Sequence, residues 1–173
     1  MEPTKKDTDD LKLRKRTTQE LVGASSSPSY FEGSLSVKEL SPKDFDPISS
    51  WKLRENKCAI VLFYKPKCPY CKDVKPQWSQ LGETAAFFNV YALNADKYKA
   101  HVAKIREEMP NLITSYPTIV IYEEGKPIES YQGPRDWKHL TLACARACEG
   151  NFAEYVKDVQ LLLLPEEELN MFV

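Results

Sequence analysis

The stretch Cys58-Ala59-Ile60-Val61-Leu62-Phe63-Tyr64-Lys65-Pro66-Lys67-Cys68-Pro69-Tyr70-Cys71 decides the fold. Its first seven residues are apolar with no alternation, the pattern of a central strand covered on both faces. Lys65-Pro66-Lys67 breaks the run. Pro69 then stands where a helix can begin, because a missing N–H and a fixed φ cost nothing at a first helical position. Pro69 to about Ala85 reads as helix, with Val74, Trp78, Leu81 and Ala85 on one side at spacings of 4, 3 and 4. Pro76 falls inside that helix and predicts a kink. Two cysteines therefore sit at the N-terminal tip of a helix that follows a buried strand.

Working outward, Leu35 to Leu40 reads as a short strand. Ser41-Pro42 then serves as N-cap and first position of a helix reaching about Arg54. On the other side, Phe87 to Leu93 is a second buried strand, and Asp96 caps a helix running to Met109. Thr118 to Tyr122 and Ile128 to Tyr131 are strands joined by a Gly-containing hairpin loop, Glu123 to Pro127. Trp137 to Cys148 reads as a helix with Trp137, Leu140, Thr141, Cys144 and Cys148 on one face. This order predicts the α/β class, a three-layer α/β/α fold around a central mixed sheet.

Residues 1–33 are rich in charge, Ser and Thr and read as a disordered N-terminal tail, with the Lys12, Arg14, Lys15, Arg16 cluster solvated. The domain is expected over 34–150. A C-terminal helical extension covers 151–173, its stripe of Phe152, Tyr155, Val156, Val159 and Leu163 packing on the parent domain.

With 24 basic and 25 acidic residues and a net charge of −1, nothing in the charge balance calls for nucleic acid or an anionic membrane as partner. Leu161 to Leu164 is far short of the roughly 20 apolar residues a spanning helix needs. No secretory signal is visible over residues 1–20, so a cytoplasmic location is expected. Five unevenly spaced cysteines do not resemble a disulfide framework. Cys58 reads as a small core residue, and Cys144 and Cys148 as core packing on a shared helical face. Trp78 and Trp137 read as core, and His101 and His139 as surface residues without a catalytic role. A monomer is expected, with the C-terminal helix as the place for any contact.

A Cys-x-x-Cys pair at a helix tip suits thiol–disulfide exchange. Unsatisfied backbone N–H groups and the helix dipole favour an anion at Cys68, while Cys71, one turn in, is the more buried partner. Lys65, Lys67 and Lys72 add positive charge, screened by solvent. The bland alternatives are an inert pair or half of a zinc site, for which His101 and His139 offer no matching pair spacing.

From Leu35 to Cys148 the sequence resembles the thioredoxin superfamily, especially thioredoxin and the catalytic domains of protein disulfide isomerases. The resemblance is carried, in order, by Val37-Lys38-Glu39-Leu40-Ser41 through Phe45, Cys58 to Tyr64 with Lys65-Pro66-Lys67, the cysteine pair, Pro76, Tyr116-Pro117-Thr118 and Gly133. It implies a dithiol–disulfide oxidoreductase acting on protein disulfides, with Cys68 and Cys71 catalytic. It also implies a cis Tyr116–Pro117 bond facing the pair, and substrate contacts at Lys67, Pro69, Tyr70, Tyr116 and Pro117. No cofactor or metal is expected beyond the cysteines, and an external reductase or oxidase recycles them.

Three features depart from the family. Leu62 stands six residues before Cys68, where these proteins usually hold a buried acid. Lys67 replaces the tryptophan that commonly precedes the first cysteine. Pro69-Tyr70 is the inner dipeptide of glutaredoxins, although Ser115-Tyr116-Pro117 and Gly133-Pro134-Arg135-Asp136 match a glutathione site poorly. A redox-inactive binding module and a glutathione-dependent enzyme are the competing expectations.

Overall fold

The computed structural model describes residues 27–165. The expectations for the Lys12–Arg16 cluster and for the acidic C-terminal end lie outside the described residues. Five strands and four helices form the unit: β1 (Lys38–Glu39), β2 (Ala59–Tyr64), α1 (Pro69–Thr84), β3 (Asn89–Asn94), α2 (Lys99–Glu108), β4 (Thr118–Glu123), β5 (Lys126–Tyr131), α3 (Trp137–Ala147) and α4 (Glu149–Leu163). The sheet order is β1-β3-β2-β4-β5. β1 and β2 run parallel to β3, while β4 runs antiparallel to both β2 and β5. The sheet is mixed and three-layered, and β2 is its centre.

The unbroken apolar run of β2 follows from that position, because every one of its residues is buried. Alternate side chains feed two cores. Ile60, Leu62 and Tyr64 pack with Cys71, Val74, Trp78 and Leu81 of α1 and with Leu140, Ala143 and Cys144 of α3. Ala59, Val61 and Phe63 pack on the opposite side with Val102 and Ile105 of α2 and with Leu40 and Phe45. Trp78 is fully buried, and its Nε1–H donates to the Tyr91 carbonyl at 3.0 Å, so its one polar group is satisfied. α1 runs through Pro76 to Thr84.

Four expectations need correction. The helix from Ser41 to Arg54 is only a 3-10 turn, Pro42–Asp44. Beyond it the Asp46 carboxylate takes the N–H groups of Ile48 and Ser49, and Phe45 bridges to Leu53, so the backbone finds its partners without a helix. Asp96 does not cap α2. The buried Asn94 side chain accepts from the Asp96 and Lys97 N–H groups, and α2 starts later, at Lys99. His101 is half-buried against the Phe45 ring, not a surface residue. Finally, packed structure begins before Leu35: Phe31 is 4% exposed and belongs to the core, with Tyr30 packed beside it.

The β4–β5 hairpin turns on Glu124 and Gly125, both at positive φ (52° and 79°). At Gly125 a Cβ would also strike the Leu53 carbonyl oxygen, so glycine is required there twice over. At the far end, α4 touches the domain through its first turns. The rings of Phe152 and Tyr155 lie 5.1 and 5.8 Å from that of Phe87, but no residue of α4 is buried, and Leu162 and Leu163 stand 81% and 80% exposed. Among the described residues no helix is long and apolar enough to cross a membrane.

Candidate active site

The end of β2 delivers the chain into a tight turn. The Cys68 N–H donates to the Lys65 carbonyl at 3.0 Å, and the Lys72 N–H donates to the Cys68 carbonyl at 3.1 Å, closing the first turn of α1. Cys68 is thereby the N-cap, with extended backbone, and Pro69 occupies the first helical position. Cys68 is half-buried and Cys71 wholly buried; both are free thiols. The turn leaves Lys67, Pro69 and Tyr70 exposed, with Tyr70 at 67%.

Opposite the helix tip, the Tyr116–Pro117 peptide bond is cis. The Cys68 thiol donates to the Tyr116 carbonyl oxygen at 3.7 Å, so the two sequence-distant segments meet at the sulfur. Pro117 is buried beneath the half-buried Tyr116. The Tyr116 ring is flanked by Lys65, whose Nζ is 5.0 Å from its centre, and by the Arg106 guanidinium at 5.6 Å. Arg106 also donates from Nη2 to the Tyr116 hydroxyl at 3.2 Å.

The two thiols are chemically unequal. Burial pushes the Cys71 thiol up to about 12, and the adjacent Cys68 adds to the rise, while a hydrogen bond with the Lys65 backbone opposes it. Cys71 is held as a neutral thiol one turn behind a more accessible one.

A second group of residues supports the turn from the N-terminal side. The Tyr30 hydroxyl donates to the Pro66 carbonyl at 2.7 Å, and its ring stacks on Tyr64 with centres 4.3 Å apart. The Tyr64 hydroxyl accepts from the Tyr30 N–H at 2.8 Å and donates to Glu39 Oε1 at 2.5 Å. Burial pushes the Glu39 carboxyl up to about 7, only partly offset by the hydrogen bonds from Tyr64 and the Phe31 N–H. Its Oε2 is buried with no partner among the described residues. Pairing registers put Glu39 opposite Ala92, and Ala92 opposite Leu62, so Glu39 shares a row of the sheet with Leu62. A half-buried acid thus exists two strands from the apolar position.

Sequence reasoning missed Tyr30 because it lies in a stretch read as tail. The adjacent aromatics Tyr30-Phe31 inside a polar segment were the available signal. Cys58 also differs from expectation. It is not a free core thiol but forms a disulfide with Cys148, with Cα atoms 6.0 Å apart across 90 residues of sequence. Cys144 stays free and buried. Among the described residues no cluster of His, Cys, Asp and Glu is arranged to hold a metal.

The family model described as Thioredoxin matches residues 36–146. A protein disulfide isomerase-like protein of Arabidopsis thaliana is 30% identical over 112 residues, 64% of this chain and 23% of its own length. The protein disulfide-isomerase of Saccharomyces cerevisiae is 35% identical over 109 residues, 61% of this chain and 19% of its own. The chain therefore spans about a quarter or less of the length of these relatives. Among solved structures, the J-Trx1 fragment of ERdj5 superposes with a TM-score of 0.55 at 22% identity, covering 68% of this chain and 54% of that one, a likeness of fold. With its sheet order, its cysteine pair at a helix tip and a family match over most of its length, the chain belongs to the thioredoxin family.

Proposed function

We propose that the chain catalyses thiol–disulfide exchange on protein disulfides through Cys68 and Cys71. The observation that carries this reading is the meeting of the half-buried Cys68 thiol with the Tyr116 carbonyl at 3.7 Å, with the buried Cys71 one helical turn behind. The Cys68 thiolate attacks one sulfur of a substrate disulfide, forming a mixed disulfide and expelling a substrate thiolate that takes up a proton. Cys71 then loses its proton and attacks the Cys68 sulfur. A Cys68–Cys71 disulfide forms, and the second substrate thiol leaves. Two electrons pass to the substrate, and an external dithiol reductant returns the Cys68–Cys71 disulfide to two thiols. Run in reverse, the pair oxidises a substrate dithiol and an external disulfide oxidant restores it. The exposed Lys67, Pro69 and Tyr70, with Tyr116 set by its cis bond to the buried Pro117, form the surface on which an extended substrate segment is held.

Reduction of insulin by dithiothreitol tests this reading. Wild-type protein should accelerate it, and Cys68→Ser should abolish the acceleration; equal rates in both overturn the proposal. A glutathione-dependent enzyme would instead act on a small glutathione mixed disulfide.

A binding module without turnover is the second reading. The apolar Leu62 and the strongly raised Cys71 thiol favour it, since both slow the resolving step. The Cys58–Cys148 disulfide supports an oxidising working environment over the reducing cytosol expected from the sequence, because such bonds persist where thiols are not kept reduced.

A further inference from the structure

We propose that the cavity beside Tyr116 is a specificity site for an acidic side chain, Asp or Glu, of the substrate segment that reaches Cys68. The inference rests on the exchange reading and names the substrate class it favours. The cavity has a volume of about 400 Å³. It is walled by Tyr116 and lined by the exposed Lys65, Lys99 and Arg106, over the buried Ala95 and Val102.

Its place matters first. Lys65 and Tyr116 belong both to this cavity and to the active site, where their carbonyl oxygens accept from the Cys68 N–H and the Cys68 thiol. A peptide segment laid along Tyr116 with a cysteine at Cys68 therefore sends a neighbouring side chain toward the cavity.

Its charge decides the occupant. Three cations line it and no acid does; Tyr116, its phenol raised by burial, stays neutral at ordinary pH. Asp96, whose charge reaches Tyr116, lies outside the lining. Arg106 is pinned: Nε donates to the Ile113 carbonyl at 3.0 Å and Nη2 to the Tyr116 hydroxyl at 3.2 Å. Two of its five N–H groups are spent in fixing it, and the rest remain for a carboxylate at no further ordering cost. A lysine or arginine side chain entering here would meet three like charges, so the site rejects basic segments as well as admitting acidic ones.

The test uses the whole 173-residue chain and peptides carrying one cysteine as its thionitrobenzoate disulfide, with Glu or Gln scanned along the positions on either side. The second-order rate of reaction at Cys68 is read at low and high salt. At one or more positions Glu should react at least about fivefold faster than Gln, and the ratio should shrink with salt. It should fall toward unity in Lys99→Gln and in Arg106→Gln; Lys99 is included because Arg106 also braces Ile113 and Tyr116. Equal Glu and Gln rates at every position in wild type, or a preference that persists in both variants, overturn the site. If no peptide reacts at Cys68, the exchange reading itself falls, and the site with it.

Discussion

Cys58 and Cys148 are joined by a disulfide that ties the residue before β2 to the residue between α3 and α4. Both are fully buried, so the bond fastens the strand carrying the active-site turn to the helix layer from inside the core. It closes a loop across 90 residues, and chain entropy alone assigns such a closure about 4.6 kcal/mol. The Cys58→Ala/Cys148→Ala protein should lose stability of that order in urea unfolding. Wild type treated with enough reductant to open the bond should behave alike. An unchanged midpoint in the double variant would contradict the role assigned to the bond.

The Glu39 carboxyl gives stability a definite pH dependence. Its value is about 7 in the folded protein against 4.5 for an ordinary carboxyl. Below 4.5 both states hold the proton. Between 4.5 and 7 the unfolded chain ionises while the folded one stays protonated, so stability falls as pH rises through this window. The loss is on the order of 3 kcal/mol. Glu39→Gln keeps an acceptor for the Tyr64 hydroxyl and removes the titration. The variant should be more stable than wild type at pH about 8, and the gap should close toward pH about 4. Parallel pH profiles of the two proteins would show that Glu39 is not the titrating group.

The resolving step should depend steeply on pH. With the Cys71 thiol pushed up to about 12, the attacking thiolate is scarce near neutrality, and its fraction grows about tenfold per pH unit. Single-turnover release of a peptide held on Cys68 should accelerate accordingly between pH about 7 and 10. A flat profile would mean that another group takes the Cys71 proton.

What the sequence made legible was local. The apolar run of β2 and the Cys68–Cys71 pair at a helix start lie side by side, so periodicity and helix-end chemistry were enough to place them. The Cys58–Cys148 bond was not legible, because its partners are 90 residues apart and an odd cysteine count hides a pair. The segment after Pro42 misled for the opposite reason. Its N-cap signal is real, and the Ser41 N–H does bond the Asp44 carboxylate, but the Asp46 side chain then captures the next N–H groups. Tyr30 and Arg106 acquire their roles only through contacts with Pro66 and Tyr116, and no spacing rule reaches that far.

Trapping by Cys71→Ser tests the central claim most directly. Incubated with a disulfide-bonded protein and resolved without reductant, this variant should accumulate a covalent adduct whose mass and peptide map place the bond at Cys68. The adduct should vanish on reduction and be absent from Cys68→Ser/Cys71→Ser. Failure to form it, or an adduct through Cys144 instead, would contradict the account.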